Sequence, residues 1–186
     1  VGRLGRRLRH LRMNSFGEYY RHVAGGQAQG ELQTMVDLLT TNETYFFREP
    51  QHFDFLSELL GRGRSAAGDF RVWSAASSSG EEAYSIAMLL ADKLGLRGWE
   101  IIGTDLSTQM VDSARRALYT LERARNVPKP YLKQYCLKGE GKYDGYLLID
   151  KPLRARVHFQ GANLTQDLPE IGQFDVIFLR NVLIYF

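Results

Sequence analysis

The chain has 186 residues, of which 44% are hydrophobic and 24% charged, enough apolar material for one or two domains with a sizeable core and unlike a disordered or fibrous composition. Its longest apolar run, 176–186, is broken by Arg180 and Asn181, and its first residues do not form a signal peptide, so neither a membrane span nor a secretory leader is expected. The net charge of +3 conceals an asymmetry, because residues 1–24 carry six arginines against Glu18 alone and leave the rest of the chain slightly acidic.

Leu4, Leu8 and Leu11 share a narrow helical arc, while Arg3, Arg6, Arg7, Arg9 and Arg12 spread over the remaining circumference. An amphipathic helix with a basic outer face is expected. Nucleic acid, a membrane surface or an acidic protein could meet it, or water alone; no aromatics interleave the arginines, which disfavours nucleic acid. Ser15-Phe16-Gly17-Glu18 reads as a capping box opening a second helix with Phe16, Tyr19, Tyr20 and Val23 inward. A third helix over 31–39 is expected to bury Leu32, Met35, Val36 and Leu39.

Thr40 to Pro50 starts polar and turns abruptly aromatic at Tyr45-Phe46-Phe47 before Arg48. An arginine there can be held at a partly covered place, its planar fork gripping a carboxylate, or can simply pair with Glu43 or Glu49. A fourth helix carries Phe53, Leu56, Leu59 and Leu60 and stops at Gly61, and residues 62–68 read as a linker.

Residues 70–75 form a short apolar strand, Ala76 to Gly80 a turn of small residues, and Ala83, Ile86, Ala87 and Leu90 the buried face of a helix. Small residues let a ligand approach the backbone, where the free N–H groups of the new helix point at it. The turn lacks both Gly-x-Gly-x-x-Gly and Gly-Lys-Ser/Thr, so a pyrophosphate is not the expected guest. Glu81 and Glu82 favour a ligand with a cationic end, such as S-adenosylmethionine, although Ser79-Gly80-Glu81-Glu82 also spells a capping box in which Glu82 caps Ser79.

Trp99 to Asp105 is a second strand ending in an acid, 25 residues beyond Gly80 and placed to accept hydrogen bonds from ribose hydroxyls. Ser107 caps the next helix, whose buried face is Met110, Val111, Ala114 and Leu118. Pro128 and Pro130 precede a short helix over 131–137, and strands at 146–150 and 155–159, separated by Lys151-Pro152, suggest a small antiparallel excursion. Asn163-Leu164 follow in a loop. Phe174 to Asn181 is a further buried strand whose polar end, Arg180-Asn181, emerges beside the same pocket if the sheet is parallel. One cysteine, Cys136, excludes an internal disulfide and suggests a reducing compartment. The four histidines have no paired metal spacing, so hydrolase and metalloenzyme readings are set aside.

Five segments in order resemble the bacterial chemotaxis receptor methyltransferases, the CheR family: 41–49 (TNETYFFRE), 73–85 (WSAASSSGEEAYS), Gly103-Thr104-Asp105, Asn163-Leu164 and 180–186 (RNVLIYF). The resemblance implies an α/β fold: a Rossmann-like S-adenosylmethionine-dependent methyltransferase domain at 69–186 with a small antiparallel β-subdomain at about 138–155, preceded by an all-α amino-terminal domain at 1–61. It implies that Asn42, Thr44, Arg48, Ala76, Glu82, Asp105, Asn163, Leu164, Asn181 and Tyr185 line the cofactor pocket, with Arg48 and Tyr185 catalytic. Its reaction is methyl transfer from S-adenosylmethionine to receptor glutamates, leaving S-adenosylhomocysteine, with no metal. It makes Arg3, Arg6, Arg7, Arg9 and Arg12 the receptor-facing surface of a cytoplasmic monomer that binds no nucleic acid and inserts in no membrane.

Some members dock a receptor-tail pentapeptide on the β-subdomain; here Leu148 and Asp150 stand where arginines are expected, which argues against it. Ser79 and Ala83 replace the Thr and Pro common in the family, both tolerable at a cap and first turn. The stop at Phe186 suggests truncation at that end, and the start inside a basic helix suggests it at the other. A non-catalytic cofactor- or receptor-binding relative, or a methyltransferase for another acidic substrate, remains the alternative.

Overall fold

A computed structural model of the chain describes residues 2–26, 30–62 and 68–185, the side chain of Tyr185 excepted. Most of the expected linker, 63–67, lies outside the described residues.

Four helices come first: α1 (Gly2–His10), α2 (Phe16–Ala24), α3 (Glu31–Leu39) and α4 (Pro50–Gly61). The first three pack on a polar centre instead of the expected apolar stripes. Phe16, Tyr20, Leu32 and Leu39 are exposed, while Glu31 is buried. Arg7 donates to both Glu31 oxygens, at 2.9 and 2.5 Å, and the Tyr19 hydroxyl donates to Oε1 at 2.8 Å, joining all three helices. These bonds hold the Glu31 carboxyl below its ordinary range, against its burial, and burial together with the bond to Glu31 pushes the Tyr19 hydroxyl up to about 12. In the capping box, Ser15 Oγ accepts from the Glu18 N–H, but Glu18 reaches back to the Asn14 N–H.

The second unit alternates β1 (Phe70–Ala75), α5 (Glu81–Leu94), β2 (Trp99–Asp105) and α6 (Thr108–Arg116), then leaves the main sheet for β3 (Leu118–Thr120), α7 (Lys129–Tyr135), β4 (Cys136–Lys138) and β5 (Tyr146–Ile149). It returns through α8 (Lys151–Arg154) to β6 (Val157–Gly161) and β7 (Val176–Leu179). The main sheet is parallel in the order β6-β2-β1-β7; its register sets Phe70 against Trp99 and Ala75 against Thr104, so β1 and β2 end side by side. Burial on both faces explains near-continuous apolar strands such as those of Val72 and Ile101, both fully buried. α5 is buried through most of its length because it packs on this sheet and on α4.

The antiparallel excursion is present but assembled differently. Its order is β3-β5-β4, so two of its three strands precede residue 138 or straddle it. Leu118 belongs to β3 and not to the preceding helix, which ends at Arg116 and is capped by Ala117 in a left-handed conformation. Residues 136 and 137 are strand, not helix. Residues 151–154 form a helical turn, since Asp150 accepts from the Lys151 N–H and Pro152 fits a first turn, and the strand after it joins the parallel sheet.

Replacing Arg7 by Met leaves a buried, unpaired Glu31, and we expect a loss of about 3 kcal/mol in urea unfolding, the low end for a broken ion pair because Arg7 is partly exposed. Arg6→Met, at an exposed position on the same helix, should change stability by less than about 0.5 kcal/mol.

Candidate cofactor site

The joint between β1 and β2 is made by backbone. The Ser77 N–H donates to the Thr104 carbonyl at 2.8 Å, and the Ser78 N–H donates to Asp105 Oδ2 at 2.8 Å. Asp105 Oδ1 accepts from the Ser107 N–H at 2.9 Å, so the acid closing β2 also organises the start of α6. Burial pushes the Asp105 carboxyl up, and the two amides oppose that shift. Ala76 and Ser78 adopt left-handed backbone conformations (φ 56° and 49°), which turn the chain sharply out of the strand.

At the head of α5 the expected capping box is absent. Gly80, at φ 94°, is the N-cap, and Ser79 Oγ donates to the Glu81 carboxylate instead. A β-carbon at Gly80 would meet Ala114 Cβ at 2.9 Å and Tyr119 Oη at 3.0 Å, so the turn is seated too closely for any other residue. Glu82 Oε1 accepts from the Ser74 hydroxyl at 2.7 Å, and Oε2 lies 3.3 Å from Arg180 Nε. Its carboxyl is pushed up to about 7 by burial, against the pull of the Ser74 hydroxyl and of Arg180 and Arg48.

Of these residues Ala76, Ser77, Ser78, Glu82, Asp105, Arg48 and Arg180 line one cavity of about 450 Å³, a volume suited to a nucleoside-sized ligand. The segment leaving α3 contributes Asn42, Thr44 and Arg48; the turn contributes Ala76; α5 and β2 contribute Glu82 and Asp105; and the loops after β6 and β7 contribute Asn163, Leu164 and Asn181. Of the ten residues expected in the pocket, these nine surround the cavity, and the side chain of Tyr185 lies outside the described residues. Arg48 Nη1 donates to the Glu43 carbonyl at 2.7 Å, and its guanidinium lies 5.6 Å from the Tyr45 ring, so the fork is not paired to Glu43 through its carboxylate. Asn181 donates to Glu49 Oε1 at 3.3 Å.

Arg180 lines the cavity at the end of β7, as its strand-end position implied for a parallel sheet, and so do Ser77 and Ser78, which sequence reasoning did not single out. The two serine hydroxyls are buried without a hydrogen-bond partner among the described residues. Arg180 is 10% exposed; its Nη2 donates to the Arg48 carbonyl at 2.7 Å, while Nη1 has no partner among the described residues. Among the described residues no His, Cys, Asp and Glu group could hold a metal, and no helix is long and apolar enough to cross a membrane.

Of the five arginines expected to face a receptor, Arg7 is committed to Glu31, and Arg3 donates to the Leu39 and Thr40 carbonyls at 3.3 and 2.6 Å. Arg9 donates to the Gly5 carbonyl at 3.4 Å; Arg6 and Arg12 are exposed. Arg3, Arg6, Arg7 and His10 line an open groove with Asp37 and Thr40, and Thr40 also lines the cavity.

Parallel strand tips, a small-residue turn, an acid at the second tip and a cavity above them define a nucleoside-binding α/β domain. Residues 42–186 match the CheR methyltransferase, SAM binding domain, and residues 1–40 match the CheR methyltransferase, all-alpha domain. The chain belongs to the CheR methyltransferase family. It is 41% identical over 187 residues to the chemotaxis protein methyltransferase of Escherichia coli (strain K12), covering 99% of this chain and 64% of that protein. It is 43% identical to chemotaxis protein methyltransferase 2 of Pseudomonas aeruginosa, covering 99% and 66%, and 35% identical to the chemotaxis protein methyltransferase of Borreliella burgdorferi, covering 99% and 68%. The chain thus spans about two thirds of the length of these relatives.

Glu82 holds its proton more tightly folded than unfolded, so its contribution to stability is fully present below about pH 4.5 and is lost as pH rises through about 7. Urea unfolding at several pH values should show the stability advantage of Glu82→Gln over the parent growing between pH 5 and 7, by at most about 1.4 kcal/mol per pH unit, and levelling off above. A difference independent of pH would contradict this titration.

Proposed function

We propose that this chain binds S-adenosylmethionine in the cavity and transfers its methyl group to glutamate carboxylates of chemotaxis receptors, forming glutamyl methyl esters. The observation that carries the reading is the convergence of Glu82, Asp105, Arg48 and Arg180 on one cavity in a chain of this family. The donor set fits the cofactor. Asp105 has committed one lone pair of each oxygen to backbone amides and retains others for ribose hydroxyls. Glu82 offers a carboxylate to the ammonium of the methionine end, and Nη1 of Arg180, without a partner among the described residues, offers a donor to its carboxylate. The buried hydroxyls of Ser77 and Ser78 gain hydrogen-bond partners in a polar ligand.

The cofactor, when bound, supplies an activated methyl on a sulfonium. An acceptor glutamate has an ordinary pKa near ~4.3 and is already ionised at neutral pH, so no residue need act as a base. The work left to the protein is positioning and exclusion of water, worth up to roughly 7–11 kcal/mol of a barrier. Arg48, at the cavity wall and not engaged with a carboxylate among the described residues, is suited to orient the acceptor carboxylate. Tyr185 is its proposed partner as a hydrogen-bonding wall.

The substrate is a protein rather than a small molecule on this reading, because the arginine groove of the helical unit shares Thr40 with the cavity. An acidic receptor segment following this groove past Arg6 and His10 would present a glutamate at the cavity mouth. We place the protein in the cytoplasm, facing the cytoplasmic segments of its receptors.

Calorimetric titration with S-adenosylhomocysteine should give saturable 1:1 binding. Asp105→Ala should weaken it by about 10- to 100-fold, the effect of losing hydrogen bonds to a charged acceptor. Binding unchanged in that variant would overturn the ribose assignment. In a transfer assay with labelled cofactor and a receptor cytoplasmic fragment, Arg48→Ala should lower the rate by about 100-fold or more. Undiminished transfer would remove Arg48 from the mechanism.

A further inference from the structure

Glu81, next to the cavity-lining Glu82, does not line the cavity. It is fully buried, and burial drives its carboxyl up while Arg123 and the Ser79 hydroxyl pull it down. Its Oε2 accepts from Ser79 Oγ at 2.7 Å, and its Oε1 is paired with Arg123 Nη2. The same Nη2 donates to Ser79 Oγ at 3.0 Å, closing a ring of three polar side chains that commits both the hydrogen and a lone pair of the Ser79 hydroxyl.

Arg123 comes from outside the main sheet. It follows β3, a strand of the small antiparallel sheet, in the turn that leads to α7, and its side chain is 42% exposed. Tyr119, on β3 itself and opposite Leu147 of β5, donates its hydroxyl to the Ser79 carbonyl at 2.7 Å. The Tyr119 ring meets the Phe46 ring edge-on at 4.9 Å, within the stretch that carries Arg48. Ser85 continues the connection: its hydroxyl donates to the Glu81 carbonyl at 2.7 Å and accepts from the Phe47 N–H at 3.0 Å.

An apolar pair would serve packing as well as this one does. A dry carboxylate at the first position of α5 instead needs a cation, and among the described residues Arg123 is the one that meets it. We propose that Arg123 is a positioning residue for the cofactor turn: by neutralising Glu81 it fixes Ser79 and the first turn of α5 in the shape the cavity requires, and so ties the small sheet to the methyl-donor site. The effect on binding rests on the cofactor reading given above; the effect on the turn does not.

The test compares the 186-residue chain with Arg123→Met, Glu81→Gln and the double variant, in two measurements. The first is affinity for S-adenosylhomocysteine by calorimetry, and the second is amide hydrogen exchange of residues 74–85 without ligand. Arg123→Met should weaken affinity and speed exchange by about tenfold or more, because it strands a buried charge. The double variant should return both to within about threefold of the parent, since a neutral amide in place of the Glu81 carboxylate needs no cation, and Glu81→Gln alone should stay within the same range. An Arg123→Met protein that does not fold while the double variant does is the same rescue in stronger form. Parent-like behaviour of Arg123→Met, a double variant as impaired as Arg123→Met, or failure of both to fold would overturn the proposal. A parent chain that does not bind S-adenosylhomocysteine overturns the cofactor reading, and the exchange rates then decide the role of Arg123 by themselves.

Discussion

The hydrogen bond from the Ser78 amide to the Asp105 carboxylate is the joint on which the site is built. Parallel pairing of β1 with β2 brings two strand tips together, but pairing alone leaves both chains free to diverge beyond Ala75 and Asp105. The amide of a left-handed Ser78 captures the acid, and the acid in turn captures the Ser107 amide and sets the start of α6. Turn, acid and two helix starts become one rigid corner. The helical unit closes over that corner through Gln33, which donates to the Leu106 carbonyl at 3.1 Å, and Asp37, which accepts from Thr108 Oγ1 at 3.1 Å.

The two adjacent acids at the head of α5 illustrate how one helix turn divides its labour. Glu82 faces the cavity with its carboxyl raised to about 7 and stays within reach of Ser74 and Arg180. Glu81 is sealed on the other flank and neutralised from the small sheet. Of the two acids at the head of α5, one therefore faces a ligand, and the charge of the other is already answered. A cationic guest strengthens the ionised form of Glu82 and releases its proton, so ligand binding and Glu82 titration are linked.

The sequence carried the strand, turn and helix order of the second unit because its signals are local: apolar runs, small residues at 76–80, an acid closing β2 and a serine cap at 107. The nine described pocket residues come from segments far apart in the chain: strand tips and turn marked Glu82, Asp105 and Asn181, and the resemblance joined Asn42, Thr44, Asn163 and Leu164 to them. Misplaced features each depended on a distant partner. Apolar spacing pointed Phe16, Tyr20, Leu32 and Leu39 inward, whereas Glu31, Arg7 and Tyr19 took the interface with ionic and hydroxyl bonds that no pattern marks. The capping box at 79–82 failed because Glu82 found Ser74, on the neighbouring strand, and Ser79 found Glu81. β3 escaped notice because it is three residues long and follows a helix without a break signal.

The central claim is that Glu82 receives the cationic end of a methyl-donor cofactor at this corner. Carbon-13 NMR of the glutamate side-chain carboxyls, with Glu82 assigned by its absence in Glu82→Gln, reads that claim directly. The account predicts a titration near pH 7 in the free protein that moves down by a unit or more, about 1.4 kcal/mol per unit, when S-adenosylhomocysteine is bound. A Glu82 titration that stays in place while the ligand binds would contradict it.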